Sequence, residues 1–416
     1  MIRHLLKLVW KRKRTNALLT LEIFASFLVL FAVTTLGAAM IMRYRKPIGF
    51  DYRDVWVVGV SFPELQVSAA DVLPDGPEKR RVAKMAEVSR RTTLDRMMLE
   101  LRNMPAVELV SAAGSPGYST STWTSGGTYD GRHYDMTRDS VTDDYAKAMR
   151  MPLLRGRWFR PEDEGANVPP MVIDADLARE IDPHGDPLGK RFSFGEKTDK
   201  YDYRIVGIVA PFRKSGEFSN DEVRMAFDRA SLTGLAGMMP RFLVVRVRPG
   251  TPADFEEALN RRLKAVAPDY PIHVRHMDAM KKWMTRIFLA PVIVGTTIAA
   301  FLILMVGLGL SGVLWQNVTR RTREIGLRRA LGATGPEVNR QILIEVALLS
   351  TLAMVVGVVI VAQLPILGIF HVFTPAAYTI GLIGALVTVY VITLLCGLYP
   401  SWLAGRIQPA QALHYE

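Results

Sequence analysis

Four long stretches without a formal charge constrain this chain more than anything else in it: Ile23 to Met42, Ile287 to Val318, Val346 to His371, and Val372 to Ala404. The last two are separable at Thr374-Pro375. Each reaches the roughly 20 residues that a helix needs to cross about 30 Å of hydrocarbon, whereas uncharged helices of a water-soluble core rarely exceed about 14. The stretches therefore predict spans at 17–42, 286–318, 341–371 and 376–404. A basic-then-apolar N-terminus also fits a cleavable leader, but the apolar part from Ala17 to Met42 is too long for one and reads as a retained span.

Charge orients the spans. Residues 51–285 carry 35 Lys and Arg against 35 Asp and Glu, so the whole formal charge of +12 lies outside them. Arg3, Lys7, Lys11, Arg12, Lys13 and Arg14 precede the first span, and Arg320, Arg321, Arg323, Arg328, Arg329 and Arg340 crowd between the second and third. The positive-inside rule makes both segments cytoplasmic. Arg43, Arg45 and Lys46 run against the rule, but a long following domain makes loop charge less decisive there. Residues 1–16, 319–340 and 405–416 are thus expected in the cytoplasm and 43–285 outside it. The basic residues flank membrane spans and the water-soluble part is neutral, so the expected counter-charge is anionic membrane lipid and no nucleic acid.

The 43–285 segment must build its own core, because the only cysteine, Cys396, lies in the fourth span. Val55 to Phe62 reads as a strand, Glu78 to Asn103 as an amphipathic helix, and Val107 to Ala113 as a strand. The order recurs in Phe242 to Val247, a helix from Thr251-Pro252 with Asp254 in its first turn, and Ile272 to Val274. Residues 115–240, rich in Gly, Ser, Thr and Asp with short apolar strands, read as a β-rich insert. The fold class is thus a four-helix membrane protein with a large α+β extracytoplasmic domain: a strand-helix-strand, ferredoxin-like subdomain interrupted by the insert.

The loop at 319–340 is punctuated as two helices. Gly332 is placed to end the first in a left-handed conformation, and Thr334 with Glu337 forms a capping box, Pro336 lying in the first turn of the next. Ile325, Leu327, Ala330 and Leu331 stand among arginines and Glu324, which allows either a lipid-facing basic element or a protein-docking helix.

The run from Arg321 to Ala333, with Gln341 to Glu345 after it, resembles the signature loop of the MacB/FtsX-type ABC transporter permeases. Gly397-Leu398-Tyr399-Pro400 and Pro409 to Leu413 resemble that family's C-terminal ending. Gly156-Arg157-Trp158-Phe159, Asp186 to Lys190 and Val206 to Val209 resemble its periplasmic core. The resemblance implies that the 319–340 loop is the coupling helix for a nucleotide-binding ATPase. Arg323, Glu324, Arg328 and Arg329 would be its polar contacts, Gly326 and Gly332 would permit close packing and the turn, and Arg321 and Ile325 would complete the element. It also implies a second permease chain, identical or different, an inner-membrane location, and motion transmitted to the periplasmic domain.

Catalysis is not expected in this chain. Gly185 to Arg191 superficially resembles a phosphate loop but has three residues between its glycines and Arg191 where Ser or Thr would bind magnesium. ATP and magnesium are expected in a partner ATPase, which must be another polypeptide. His133, His184, His273 and His276 lack zinc-type pairing, and His273 and His276 on one strand would face opposite sides. Gly307 and Ser311 form a small-xxx-small pair suited to close helix packing, for example at a dimer seam. The leading functional expectation is efflux of a toxin, antibiotic or peptide with a periplasmic adaptor and outer-membrane channel. The alternatives are an FtsX-like or peptide-sensing scaffold that activates a cell-wall hydrolase or sensor kinase, and lipoprotein release.

Overall fold

The structure, a computed structural model, describes residues 13–62, 76–120, 124–195, 201–219, 224–231, 238–320, 322–366 and 373–405. Its helices are α1 (Lys13–Tyr44), α2 (Pro77–Arg102), α3 (Tyr145–Ala148), α4 (Ala175–Ile181), α5 (Phe255–Val266), α6 (Met277–Arg320), α7 (Thr322–Ala330), α8 (Gly335–Ile366) and α9 (Pro375–Gly405). Two compact units form, one from Met1–Met42 and Phe288–Glu416, the other from Arg43–Ile287.

In the first unit four helices are long and apolar enough to cross a membrane. They share one apolar cluster that includes Phe27 and Phe31 of α1, Leu310 and Leu314 of α6, Val346 and Met354 of α8, and Val389 of α9. Small residues set the close approaches. A methyl group built on Gly357 would lie 2.4 Å from the Phe27 ring, and one on Gly381 would lie 2.0 Å from Thr35 Oγ1. Such contacts replace the hydrophobic drive that lipid cannot supply between helices. Gly307 faces Cys396 of α9 within the chain, with 3.3 Å to the sulfur from an added Cβ. Within the chain, this small residue thus serves a close contact between α6 and α9. Glu22 lies against Gly309 of α6.

The second unit is built on strands β1 (Val55–Val60), β2 (Val107–Ala113), β3 (Thr124–Tyr129), β4 (Arg132–Val141), β5 (Leu153–Gly156), β6 (Pro170–Asp174), β7 (Arg191–Phe194), β8 (Tyr201–Val209), β9 (Met225–Arg229), β10 (Phe242–Val247) and β11 (Ile272–His276). Eleven strands among the described residues join one sheet in the order β11-β1-β10-β2-β4-β3-β7-β8-β6-β9, with β5 on β8 and an additional parallel β4–β9 pairing. The first four pair antiparallel and carry the two strand-helix-strand units, β1-α2-β2 and β10-α5-β11. Trp56, Val58 and Val60 alternate toward Leu94, Met97 and Leu101 of α2 and Leu259 and Leu263 of α5 in one cluster. Burying such a side chain fully contributes about 1.5–3 kcal/mol. Helix α5 begins at Phe255 behind Asp254, later than the Thr251-Pro252 start read from the sequence, because 248–251 form a turn closed by Thr251 Oγ1 on the Arg248 carbonyl (2.7 Å) and 252–255 a second one closed by the Phe255 N–H on the Pro252 carbonyl (3.1 Å).

Strands β3 to β9 all fall within 124–229, and a single residue pair, Ala113 with Val141, links β2 to β4. Here the core is polar as well as apolar. Arg138 Nε donates to Asp228 Oδ1 (2.9 Å), its Nη2 donates to Tyr203 Oη (2.7 Å), and Ser140 Oγ donates to Asp228 Oδ2 (2.6 Å). Asp174 ends β6 and caps α4 by accepting the Leu177 N–H (2.8 Å), and burial pushes its carboxyl up to about 7. Lys190 of the phosphate-loop lookalike is held by Asp182 at 2.6 Å.

Candidate functional site

The segment between the second and third apolar helices folds as two helices around a tight turn. Helix α7 ends in a left-handed residue, Gly332 at φ +101°, where a Cβ would meet the carbonyl. The Leu331 N–H donates to the Leu327 carbonyl and the Ala333 N–H reaches back to Arg328, both at 3.0 Å. The six-to-one bond is that of a Schellman cap, which satisfies a carbonyl the helix leaves open. Two residues later α8 starts. Glu337 Oε2 accepts the Thr334 N–H at 2.9 Å, the acidic half of a capping box, and the Thr334 carbonyl accepts the Glu337 N–H at 3.2 Å.

The turn sorts the residues of α7 onto two faces. Ile325 and Gly326 are buried, and Ile325 joins the apolar cluster of Val318, Val338 and Ile342. Leu327, Arg328, Ala330 and Leu331 are exposed, Leu331 at 80% and Leu327 at 54%. Arg328 is steered by a bond from Nη1 to Gln341 Oε1 of α8 at 2.8 Å. Arg323, Glu324 and Arg329 lie on the α7 backbone; their side chains, and the whole of Arg321, fall outside the described residues. The outward face is thus a short apolar ridge with a tethered guanidinium, held at fixed distance from the two long helices by a cap at one end and a packed isoleucine at the other. Sequence reading named Leu327 and Leu331 but not the face they share, because periodicity in a nine-residue helix does not say which face is covered, and it did not pair Gln341 with Arg328, which lies thirteen residues away.

Such a loop between apolar helices, in a chain that also carries an α+β unit, is what the comparisons with known proteins recognise. Residues 21–262 match the MacB-like periplasmic core domain, and residues 296–409 match the FtsX-like permease C-terminal domain. The chain belongs to the MacB/FtsX-type permease family. Within the family, relatives include the macrolide export ATP-binding/permease protein MacB of Wolinella succinogenes, 27% identical over 69% of this chain and 45% of that protein. MacB of Azoarcus sp. is 25% identical over 67% of this chain and 42% of its own. This MacB/FtsX-type chain spans less than half the length of those curated relatives. Among solved structures, the periplasmic region of MacB from Actinobacillus actinomycetemcomitans aligns with 58% of this chain and 97% of its own at 12% identity and TM-score 0.38.

Proposed function

We propose that this chain is the permease subunit of a MacB-type ABC transporter. It carries motion produced by an ATPase subunit across the inner membrane to its periplasmic domain, and so drives efflux of a toxin, antibiotic or peptide. The observation that carries the reading is the exposed Leu327-Arg328-Leu331 face of α7, fixed by the Gly332 cap between two long apolar helices. An isolated basic helix for lipid contact would need neither the cap nor the Arg328–Gln341 tether. The family supplies the partner class, a nucleotide-binding ATPase that holds ATP and magnesium.

Transmission suits the apolar helices. Helix α6 has 44 residues, about 66 Å at 1.5 Å per residue, far more than a bilayer core requires. Its apolar window is 6% buried within the chain, against 50% for α1, which leaves a face for lipid and for a second permease chain. Both termini and the α7 loop are assigned to the cytoplasm by the positive-inside rule. A periplasmic adaptor and an outer-membrane channel complete the assembly, a reading supported by relatives whose names specify macrolide export.

Affinity purification of the full chain from native membranes tests the assignment. An ATPase together with an adaptor is expected; a lipoprotein, a cell-wall hydrolase or a sensor kinase in the adaptor's place would overturn efflux in favour of release or signalling. Replacing Arg323 and Glu324 together should release the ATPase while membrane insertion persists. Cross-linking the two periplasmic domains should block export, and export that continues unchanged would sink mechanical transmission.

A further inference from the structure

The loop between β8 and β9 runs Pro211-Phe212-Arg213-Lys214-Ser215-Gly216-Glu217-Phe218-Ser219. A charged loop of this kind is expected in solvent, because burying an ion is unfavourable unless it is paired. Here Arg213 is 7% exposed, Lys214 2% and Glu217 9%. Each is engaged with a different part of the same unit.

Arg213 closes on the end of α1. Its Nη1 donates to the Arg43 carbonyl at 2.6 Å and its backbone N–H to the Ile48 carbonyl at 2.9 Å, while Nη2 donates to Ser219 of its own loop at 3.0 Å. The Arg43 carbonyl belongs to the last turn of α1, where carbonyls lack N–H donors from their own helix and a cation is favoured; it also accepts the Lys46 N–H at 3.1 Å. Phe218 stacks on Tyr44 with ring centroids 5.7 Å apart.

Glu217, four residues on, takes hold of α6. Its Oε1 accepts from Lys281 Nζ at 2.6 Å and from Tyr118 Oη at 3.1 Å. Lys281 also donates to Tyr52 Oη at 2.9 Å and sits 4.2 Å over that ring. From there rings continue inward: Tyr52 to Tyr118 at 5.6 Å, Tyr118 to Phe50 at 5.5 Å, Phe50 to Phe212 at 4.8 Å, and Phe212 to Phe227 of β9 at 5.3 Å. Lys214 and buried Asp139 of β4 interact electrostatically; burial drives that carboxyl up and the ammonium down. The turn between these residues is made at Gly216, φ +88°, where a Cβ would lie 2.5 Å from the Tyr118 ring.

Two of the contacts of helix α6 with this unit reach different halves of its sheet. The covalent start of α6 follows β11, which pairs with β1. One turn on, Lys281 meets Glu217. The first route leads into the β11-β1-β10-β2 half of the sheet, the second into the half built by β3 to β9.

We infer that the 211–219 loop is a clasp, in which Arg213 and Glu217 are positioning residues that tie the end of α1 and the start of α6 to the β-rich half, with Lys281–Glu217 as the link through which displacement of α6 reaches β3 to β9. The inference rests on the transmission reading above. It assigns separate inputs to the two halves of one sheet, and cutting the link is expected to silence one half and spare the other.

The test uses the full chain with its ATPase in lipid nanodiscs, followed by amide hydrogen exchange with and without ATP and magnesium. In the wild type both halves respond. In Lys281→Gln and in Glu217→Gln the ATP-dependent change over 124–141 should fall about fivefold or more, while that over 272–276 persists and ATPase retention is unchanged. Lys281→Arg, which keeps the charge, and the swap Lys281→Glu with Glu217→Lys should restore the response. A full response over 124–141 in Lys281→Gln overturns the clasp and leaves transmission standing. A wild type without any ATP-dependent change overturns transmission itself, and the clasp's role with it.

Discussion

The backbone N–H of Ala333 donates to the carbonyl of Arg328 at 3.0 Å, across a Gly332 held at φ +101°. An L-residue in that conformation costs about 1–2 kcal/mol. Gly332→Ala should therefore loosen the end of α7 without touching the apolar helices. Expected are reduced recovery of the ATPase on affinity purification and unchanged resistance of the chain to alkaline extraction from membranes.

Leu331 is 80% exposed beside the tethered Arg328, so its side chain adds little to the chain's own packing. Leu331→Asp should alter stability by less than about 0.5 kcal/mol, as surface substitutions generally do. On the proposed docking face it should nevertheless weaken ATPase binding about tenfold or more, as loss of an interface anchor does. Titration of the purified subunit onto the permease in detergent reads both the affinity and, from melting of the permease alone, the stability.

Asp228 is fully buried against Arg138, itself 8% exposed. Asp228→Asn leaves the guanidinium without its counter-charge in a site already closed by Tyr203 and by the Phe194 ring at 4.9 Å. Breaking a buried pair in this way costs about 3–5 kcal/mol. The midpoint of denaturant unfolding, followed by near-ultraviolet circular dichroism of the full chain, should fall accordingly, with the mostly helical far-ultraviolet signal from the apolar helices retained.

Burial raises the Asp174 carboxyl from an ordinary 3.8 to about 7 in the folded chain, against the opposing Leu177 N–H. A carboxyl whose folded pKa is raised binds its proton more tightly when folded, so its contribution is fully present below pH 4 and is lost as pH rises toward 7. Asp174→Asn should remove that slope, giving a flatter curve of thermal midpoint against pH between about 4 and 7 than the wild type shows. Above pH 7 the two curves should run parallel.

Much of the architecture was legible along the chain. The four apolar helices follow from a sum of side-chain transfer free energies over about 20 residues, a local quantity that needs no knowledge of neighbours. The same holds for the Gly332 stop, where a glycine follows a basic last turn and a Thr-Gly-Pro-Glu start comes two residues later. The boundaries were less legible. Helix α6 begins at Met277 and not at the edge of its apolar stretch, because Met277 and Met284 are buried in the 43–287 unit and extend the helix through charged residues that composition alone excludes.

Sequence by itself determined that this chain has four membrane-competent helices, a neutral α+β unit between the first two, and a capped basic loop between the next two, since each depends on residues adjacent or nearly adjacent in the chain. Tertiary structure alone decided which side of α7 is free, that Gly307 meets Cys396, and that Asp139 of β4 runs beside Phe227 of β9. It also decided that Arg213 and Glu217, charged residues in a loop, are buried with partners at Arg43 and Lys281. The physical reason is common to all of these. Burial of a charge or a close helix approach becomes favourable only when its partner, here dozens to hundreds of residues away, is brought within a few ångströms, and no local pattern encodes that meeting.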